Sequence, residues 1–422
     1  MTKVHFMGIG GSGASAVARL AKAQGYEVSG CDLENSGIIN NLQKEGIDVK
    51  IGHDVSHLKN IDILAHSPAI YYQSQTEKEF TKAKNPMIWE EFMAKYLMKN
   101  KFVVAVAGTH GKGTTTSMLC WILEQAGLDP TCEIGANMLA WGKKNDRIGK
   151  SKLFICEADE YREKFLLYKP DILLITSIEM DHPDYFKDYE AVVTAFVKIA
   201  AKSKKVVVNG EDGGCLKLKK TLKYKSFKKG QMKLRFPGKH IRSDAAGAAA
   251  VAKILGVKNK VIKEALESYT GLERRFELRG EVNGMKLIDD YAHHPTAVEV
   301  NIAGARERYP KARIVAVFQP HMYARLAAMF DEFKKVLSKA DKVAVLDVYS
   351  KREPGISKPT GKDLALAIGG PKATYIGGDL NNVANFLLRN GRRGDVVLLM
   401  GAGDIYKVSD QMMLTSGSKS IS

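Results

Sequence analysis

Residues 103–118 read V-V-A-V-A-G-T-H-G-K-G-T-T-T-S-M, and this stretch decides how the middle of the chain folds. An apolar, β-branched run ends at Gly108, a glycine-rich turn follows, and beyond Lys112 the apolar residues recur at helical spacing. A strand, a glycine turn and a helix in this order are typical of a phosphate-binding loop. The glycines let the backbone approach phosphate oxygens, and the N–H groups that begin the helix favour an anion.

The loop supplies the candidate nucleotide-binding residues. Lys112 can reach a terminal phosphate, and a threonine hydroxyl can ligate Mg²⁺. The strict pattern G-x-x-x-x-G-K-[ST] is not met, because Val106 occupies its first glycine position and Gly113 follows the lysine. A glycine turn that binds nothing is therefore an alternative at this point. The candidate phosphate-binding residues are Gly108, Thr109, His110, Gly111, Lys112, Gly113, Thr114 and Thr115.

The length and composition limit the class of protein. With 422 residues the chain is too long for one ordinary core, so we expect about two to four domains. No apolar run is long enough to span a bilayer, and we predict no membrane insertion. The five cysteines are scattered without a C-x-x-C pair. They predict reduced thiols in a cytoplasmic protein and imply no zinc site.

The formal net charge of +17 has two interpretations. Nucleic-acid binding requires basic groups clustered on one face, preferably beside aromatic side chains. The alternative is a solvated lysine-rich surface combined with sites for polyanionic small molecules. The lysines are mostly dispersed, and the denser stretches at residues 202–205 and 217–229 carry few aromatic residues. We therefore predict no nucleic-acid partner.

The N-terminal region contains a second glycine turn. Residues 3–8 predict a strand that runs into G-I-G-G-S-G at residues 8–13, followed by a helix and a strand that ends at Asp32. The G-x-G-x-x-G spacing, with an acidic residue about twenty positions later, is typical of a turn that holds a dinucleotide pyrophosphate. The motif alone indicates NAD, but the same geometry serves any nucleotide pyrophosphate, including a UDP-sugar.

Two strands after the phosphate loop end in acidic residues. Residues 153–156 lead into E-A-D-E-Y, and a carboxylate such as Glu157 in this position commonly holds Mg²⁺, the alternative being a solvated acidic loop. Residues 172–175 lead into T-S-I-E-M-D-H-P. A lone histidine is more often structural, but His182 follows a parallel strand, where α/β sites form, and this favours a ligand.

From about residue 271 the alternation of strands and helices restarts. Polar or glycine-rich motifs follow the predicted strands: R-R-F at 274–276, D-D-Y-A-H-H-P at 289–295, Q-P-H-M-Y-A-R at 319–325 and G-A-G-D at 401–404. Such strand ends are typical of an active-site rim. We predict that residues 216–230 form a surface excursion and that the polar tail from Thr415 is disordered.

Together these motifs resemble the Mur ligase family over nearly the whole chain. The resemblance implies an α/β fold with three domains. These are a Rossmann-like UDP-sugar-binding domain at residues 1–98, a P-loop-type central ATPase domain at 99–269, and a C-terminal Rossmann-like α/β domain that admits the amino acid at 270–422. It also implies ATP and Mg²⁺ as cofactors and leaves open whether the protein is a monomer or a dimer.

Within the family, the motifs are most similar to the members that join L-alanine to the lactyl carboxylate of UDP-N-acetylmuramate. That reaction passes through an acyl phosphate and releases ADP and phosphate. The alternative within the family attaches a recycled tripeptide to the same UDP-sugar. An alternative of another class, an NAD-dependent oxidoreductase, leaves Lys112, Glu157 and His182 without a role.

The resemblance also implies roles for individual residues. The expected pyrophosphate and uridine contacts of the UDP-sugar are Gly8, Gly10, Gly11, Gly13, Asp32 and Ser67. The expected Mg²⁺ ligands are Thr114, Glu157 and His182. The third domain is expected to approach ATP with Arg275, Asp290, Tyr291 and His293. The expected catalytic residues are Lys112, His182, His294 and Arg325.

The sequence departs from the family pattern at a few positions. Gly113 stands where a hydroxyl residue is expected, which moves the predicted Mg²⁺ hydroxyl to Thr114 or Thr115. Ser177 replaces an asparagine. The adenine-contacting H-N-x-x-N motif reads H-I-R-S-D, so that Ile241 and Asp244 replace its two asparagines. These changes predict an altered affinity for ATP rather than a loss of activity.

Overall fold

The computed structural model describes residues 1–72, 77–218, 223–230, 232, 234–350, 353 and 357–416. Its described residues form three β-sheets with flanking helices, so the α/β prediction is confirmed. The chain makes two compact units. The first contains Met1–Ile178, Val193–Lys228 and Asp244–Thr270, and the second contains Glu179–Val192, Lys229–Ser243 and Gly271–Ser422. The predicted domain boundaries at residues 98 and 269 stay predictions.

The first sheet has the strand order β3-β2-β1-β4-β5, and its strands are parallel. Its elements are β1 (Lys3–Met7), α1 (Ser12–Ala23), β2 (Glu27–Asp32), α2 (Gly37–Lys44), β3 (Asp48–Ile51), β4 (Ile63–His66), α3 (Glu77–Lys82), β5 (Pro86–Ile88) and α4 (Trp89–Phe92). The glycine turn follows β1 as predicted. The N–H groups of Gly8 and Ile9 both donate to the carbonyl of Cys31, which ties the turn to β2.

The second sheet has the order β12-β11-β10-β6-β9-β7-β8 and is parallel except for the pair β7–β8. Its strands are β6 (Phe102–Ala107), β7 (Thr131–Met138), β8 (Lys144–Arg147), β9 (Leu153–Ala158), β10 (Ile172–Ile175), β11 (Lys205–Asn209) and β12 (Lys225–Phe227). Its helices are α5 (Lys112–Gln125), α6 (Tyr189–Ala201), α7 (Gly213–Lys217), α8 (Lys239–Ile254) and α9 (Asn259–Ser268). Residues 103–107 of β6 are buried, as expected for a central parallel strand.

The third sheet has the order β13-β14-β18-β15-β16-β17, with β13 antiparallel to β14 and the remaining pairs parallel. Its strands are β13 (Glu277–Val282), β14 (Met285–Asp290), β15 (Ile314–Phe318), β16 (Lys342–Leu346), β17 (Ala373–Gly377) and β18 (Val396–Met400). Its helices are α10 (Pro295–Arg308), α11 (Tyr323–Ala328), α12 (Phe330–Leu337), α13 (Gly361–Ile368), α14 (Leu380–Asn390) and α15 (Lys407–Ser416). An apolar core lies on each face of this sheet.

Two sequence predictions need correction. The lysine-rich segment 216–230 is not only a surface excursion, because residues 225–227 form the edge strand β12 and Phe227 packs beside Gly247 of α8. The tail was predicted to be disordered from Thr415, but α15 continues to Ser416. Residues 219–222 and 417–422 lie outside the described residues. No helix in the described ranges is both long enough and apolar enough to cross a bilayer.

Candidate active site

The phosphate loop between β6 and α5 requires glycine at two positions. Gly108 has φ of +143°, and a Cβ there would lie 2.0 Å from Oγ1 of Thr176. Gly111 has φ of +79°, and its Cβ would lie 2.3 Å from Oδ1 of Asp244. Both are conformations and approaches that only glycine accepts without strain. Helix α5 begins directly after Gly111, so its first N–H groups are available to an anion.

The residues after β10 hold this loop in place. Oγ1 of Thr176 donates to the carbonyl of His110 at 2.5 Å, and the N–H of His110 donates to Oγ of Ser177 at 2.9 Å. The N–H of Thr109 donates to the carbonyl of Ser177 at 3.0 Å. Ser177 stands where the family pattern has an asparagine. Its hydroxyl, by accepting from His110, helps to hold the loop in place.

Lys112 sits at the base of the loop. Its Nζ donates to the carbonyl of Gly108 at 2.7 Å and to Oε2 of Glu160 at 2.8 Å. Burial alone would lower the pKa of Lys112, but the carboxylates of Glu160, Asp159 and Glu157 outweigh it and raise that pKa. The lysine therefore stays charged and is oriented within the loop.

The predicted Mg²⁺ donors of this unit are hard oxygen groups, as Mg²⁺ prefers. Glu157 lies in β9 beside Val106 of β6, and its Oε2 accepts from the N–H of Gly135 at 3.0 Å. The buried Thr115 hydroxyl has no hydrogen-bond partner among the described residues, and the Thr114 side chain lies one residue before it on α5. These donors fit Mg²⁺.

The first glycine turn is closely packed. The N–H of Gly10 donates to Oδ2 of Asp32 at 2.8 Å, so this carboxylate supports the turn. A Cβ on Gly8 would lie 2.9 Å from Cβ of Ser67, and one on Gly13 would lie 2.4 Å from the Trp89 ring. The structure therefore brings the turn, Asp32 and Ser67 together. Gly11 precedes α1 as its N-cap residue.

A cavity of about 160 Å³ lies beside this turn and is also lined by Glu157. Sequence reasoning missed most of its wall, which consists of Trp89, Glu90, Glu133, Gly135, Asp159, Lys164 and Tyr168. One signal was available: Glu133 is a charged residue inside the otherwise small and apolar strand segment T-C-E-I-G. Nothing in the local sequence indicated that Lys164 would join this wall.

Several buried ionisable groups lie close together in the cavity wall. Nζ of Lys164 lies 2.8 Å from Glu90 and 2.9 Å from Asp159, and burial is opposed by these carboxylates, which raise the pKa of Lys164. Burial also raises the pKa of Glu90, despite Lys164. Glu133 is 2% exposed, and burial with the nearby Glu157 and Glu90 raises its pKa well above the usual range. The wall therefore contains several carboxyl groups and one lysine, Lys164, which pairs with two of them.

The second unit assembles another group of predicted site residues. Oδ1 of Asp181 accepts from Nη2 of Arg325 at 2.8 Å and from the N–H of His182 at 2.7 Å. His182 has φ of +54°, a left-handed conformation that is uncommon outside glycine and often found at functional sites. His294 caps α10, and its Nε2 lies 3.3 Å from the carbonyl of Met180. His182, His294 and Arg325 therefore surround residues 180–181.

The R-R-F and D-D-Y motifs also come together. Asp290 accepts from the N–H groups of Phe276 at 2.7 Å and Ala292 at 2.8 Å. The Arg275 guanidinium lies 5.4 Å from the Tyr291 ring centre, and the Arg274 guanidinium lies 5.0 Å from the same centre. Arg274 also donates to the carbonyls of Gly401 and Gly403, which sequence reasoning did not anticipate.

The structure also places His293 and the residues of the H-I-R-S-D stretch. His293 is partly exposed, and its Nδ1 lies 2.8 Å from the carbonyl of Tyr291. Desolvation, followed by the Arg325 charge, lowers the pKa of His293 well below its usual range. Burial and Arg242 lower the pKa of His240 to about 4. Asp244 faces Gly111 of the phosphate loop, whereas Ile241 is a buried apolar residue.

Comparison with known proteins places these motifs in a family. Three family descriptions match in order along the chain: "Mur ligase family, catalytic domain" at residues 3–100, "Mur ligase middle domain" at 106–250 and "Mur ligase, glutamate ligase domain" at 274–403. The UDP-N-acetylmuramate–L-alanine ligase of Acetivibrio thermocellus is 37% identical, over 97% of this chain and 95% of its own. The chain belongs to the Mur ligase family.

Further relatives agree with that assignment. The Mur ligase chain is 34% identical to the UDP-N-acetylmuramate–L-alanine ligase of Caldanaerobacter subterraneus subsp. tengcongensis, over 97% of both chains. The crystal structure of UDP-N-acetylmuramate-alanine ligase from Thermotoga maritima matches with a TM-score of 0.83 and 26% identity, covering 98% of this Mur ligase and 99% of that chain. A murein peptide ligase from Psychrobacter arcticus, at 22% identity and a TM-score of 0.74, shares the fold.

Proposed function

We propose that this Mur ligase joins L-alanine to the lactyl carboxylate of UDP-N-acetylmuramate with the hydrolysis of ATP to ADP and phosphate. The observation that carries the proposal is Lys112, held at the base of a β6–α5 phosphate loop in a chain that aligns over its full length with L-alanine ligases. The reaction belongs to peptidoglycan precursor synthesis, and we place it in the cytoplasm, where ATP is available.

A carboxylate is a poor electrophile, so ATP first phosphorylates it to an acyl phosphate. We assign Lys112 and the N–H groups of the loop to the β- and γ-phosphates, because preorganised positive charge offsets the charge that gathers there. Thr114, with Thr115 as the second choice, Glu157 and His182 are the proposed Mg²⁺ ligands. The bound ion would neutralise phosphate charge. We assign further nucleotide contacts to Arg275, Asp290, Tyr291 and His293.

The amine of L-alanine then attacks the acyl phosphate, and phosphate leaves. This step again concentrates negative charge. Arg325 offers a guanidinium whose direction is fixed by Asp181, and His294 is fixed at the start of α10. We assign both side chains to this half of the reaction. The UDP-sugar is assigned to the turn formed by Gly8, Gly10, Gly11 and Gly13, together with Asp32 and Ser67.

One assay separates the alternatives. The purified protein is mixed with MgATP, UDP-N-acetylmuramate and one of L-alanine, glycine, L-serine or the recycled tripeptide, and ADP is followed with product mass. We expect ADP and UDP-N-acetylmuramoyl-L-alanine only when the UDP-sugar and L-alanine are both present. Turnover with the tripeptide alone would support the recycling reaction instead. No turnover with any pair, together with tight NADH binding, would support the oxidoreductase alternative.

A further inference from the structure

Four metal-binding side chains converge beneath the first sheet's glycine turn. Sγ of Cys31 in β2 lies 3.2 Å from Nε2 of His5 in β1 and 3.1 Å from Nδ1 of His53, which follows β3. The ring centres of His5 and His57 are 5.6 Å apart. Donor atoms of His5, Cys31 and His57 all lie within 4.8 Å of one another. One thiol and three imidazoles thus meet from three segments: β1, β2 and the connection between β3 and β4.

We propose that this cluster is a binding site for a divalent metal that prefers sulfur and imidazole ligands, with Zn²⁺ as its best-fitting ion. Cys31, His5 and His57 supply three ligands, and His53 supplies the fourth. Zn–S bonds of about 2.3 Å and Zn–N bonds of about 2.0–2.1 Å place the ligand atoms of a tetrahedral site about 3.3–3.6 Å apart. The Sγ–N separations of 3.2 Å to His5 and 3.1 Å to His53 approach these values, and the donor atoms of His57 lie within 4.8 Å of those of His5 and Cys31.

The surroundings orient the ligands as a metal site requires. Nδ1 of His5 lies 2.8 Å from Oγ of Ser29, its neighbour across the β1–β2 ladder. If Nδ1–H donates to Ser29, Nε2 carries the lone pair and points at Cys31, which is the usual arrangement of a metal-binding histidine.

Burial divides the cluster into a closed and an open side. Cys31 is fully buried and His5 is 2% exposed, whereas His53 and His57 are partly exposed. The partly exposed pair gives an ion a route from solvent to the thiol. The carbonyl of Cys31 also accepts from Gly8 and Ile9, so an ion bound here would fix β1, β2 and the glycine turn together.

The sequence did not predict this site. Cysteine spacing implied no zinc site, because the chain lacks a C-x-x-C pair. All five cysteines are among the described residues and none forms a disulfide, so Cys31 is available as a thiol. Binding converts Cys31–SH and Zn²⁺ into a zinc thiolate and one released proton, with no change in oxidation state.

The test uses Zn²⁺ and Co²⁺ with the full-length protein in excess Mg²⁺, which masks sites built from hard oxygen ligands. We expect one equivalent of Zn²⁺ after metal-free preparation and dialysis, a higher melting temperature, and a thiolate-to-Co²⁺ charge-transfer band. Cys31→Ser should abolish that band and weaken Zn²⁺ binding about 100-fold or more. His57→Gln, at a partly exposed position, should weaken Zn²⁺ binding about tenfold or more.

Cys215→Ser is the matched control. Cys215 is also buried, but its thiol lies by the carbonyl of Ile175 in the second sheet, so this variant should keep the band and the affinity. Circular dichroism establishes that each variant is folded, and His57→Gln decides the matter if Cys31→Ser does not fold. The proposal is overturned if the wild type binds no stoichiometric Zn²⁺, or if folded Cys31→Ser or His57→Gln binds it as the wild type does.

Discussion

Arg325 donates from both Nε, at 3.1 Å, and Nη2, at 2.8 Å, to the same oxygen of Asp181. The two side chains are 4% and 8% exposed, so the pair is almost removed from water. Burial would raise the pKa of Asp181, but the Arg325 charge, followed by His182, His293 and His294, outweighs it and lowers that pKa. Asp181 is thus an anion that fixes the direction of a proposed catalytic arginine.

Asp181→Asn should lower the free energy of unfolding at pH 7 by about 3–5 kcal/mol, because it leaves Arg325 buried without its counter-charge. The folded-state pKa of Asp181 lies below its unfolded value, so its stabilisation is present above about pH 4 and is lost as the pH falls further. Urea unfolding of wild type and variant at pH 7 and pH 3 should show this difference shrinking at low pH. A difference independent of pH would contradict the assignment to this ion pair.

Glu157→Gln should raise the Mg²⁺ concentration needed for half-maximal activity about tenfold or more, because an amide oxygen is a weaker ligand than a carboxylate. Steady-state ADP release at varied Mg²⁺ measures this. Glu133→Gln is the control from the same cavity wall: it makes the same change from carboxyl to amide at a buried glutamate whose pKa is raised by burial. Equal shifts in both variants would indicate a general electrostatic effect of the wall and count against Glu157 as a ligand.

Lys112→Met should reduce kcat about 10³-fold, because it removes a preorganised charge from the proposed phosphate site. Binding of UDP-N-acetylmuramate, measured by titration calorimetry, should stay within about twofold, because the glycine turn belongs to the first sheet and Lys112 to the second. Lys112→Met leaves the buried Glu160 carboxylate without its counter-charge. The double variant Lys112→Met/Glu160→Gln removes this unpaired charge as well. Exposed Lys150→Met should behave as wild type, and loss of sugar binding in both Lys112 variants would contradict separate sites.

The sequence predicted features that depend on neighbouring residues. The loop at Gly108 follows from a strand, a turn and a helix that are contiguous. The strand at 172–175 has the predicted bounds, and β15 and β18 end directly before the motifs at 319–325 and 401–404, as predicted. Glu157 was chosen as a candidate because it follows a strand predicted at residues 153–156, after the phosphate loop, and it lies within β9. In each of these cases the local pattern already contains the physical requirement, whether apolar burial or glycine geometry.

The sequence did not predict features that depend on contacts between distant segments. Lys164 and Glu90 are 74 positions apart, and no local pattern indicates that they pair in one wall. The sequence showed only that Ser177 replaces an asparagine of the family pattern. In the structure, the Ser177 hydroxyl accepts a hydrogen bond from the N–H of His110, which follows a different strand. His5, Cys31 and His53 meet because three parallel strands are adjacent, an arrangement that cysteine spacing does not reveal.

Asp289→Asn should reveal an unfavourable buried charge. Burial raises the pKa of Asp289 to about 7, despite Arg279 and a hydrogen bond from Ser409, and Oδ1 lacks a hydrogen-bond partner among the described residues. Between about pH 4 and 7, Asp289 is therefore protonated in the folded protein but ionised in the unfolded chain. The free energy of unfolding of the wild type falls as the pH rises through this window. The asparagine variant should not lose this contribution.

Chemical denaturation at pH 5 and pH 8 tests this prediction. The gain of Asp289→Asn over wild type should be larger at pH 8, by on the order of 2–3 kcal/mol. Comparing differences between the two proteins cancels the titration of distant groups. Exposed Asp48→Asn provides the control and should show no such trend. A gain that is equal at both pH values would mean that Asp289 is already ionised in the folded protein at pH 5.

Gly13→Ala should impair binding of the UDP-sugar. Its new Cβ would lie 2.4 Å from the Trp89 ring, which lines the cavity beside the turn, so the ring or the turn must move. We expect KM for UDP-N-acetylmuramate to rise about tenfold or more, with KM for ATP changed less than twofold. Gly37→Ala is the matched control, because Gly37 begins α2 with no atom within 4 Å of the new Cβ, and it should be neutral. Adding Trp89→Leu to Gly13→Ala relieves the contact and should recover part of the affinity. If Gly13→Ala leaves the sugar KM unchanged in folded protein, the turn does not bind this substrate.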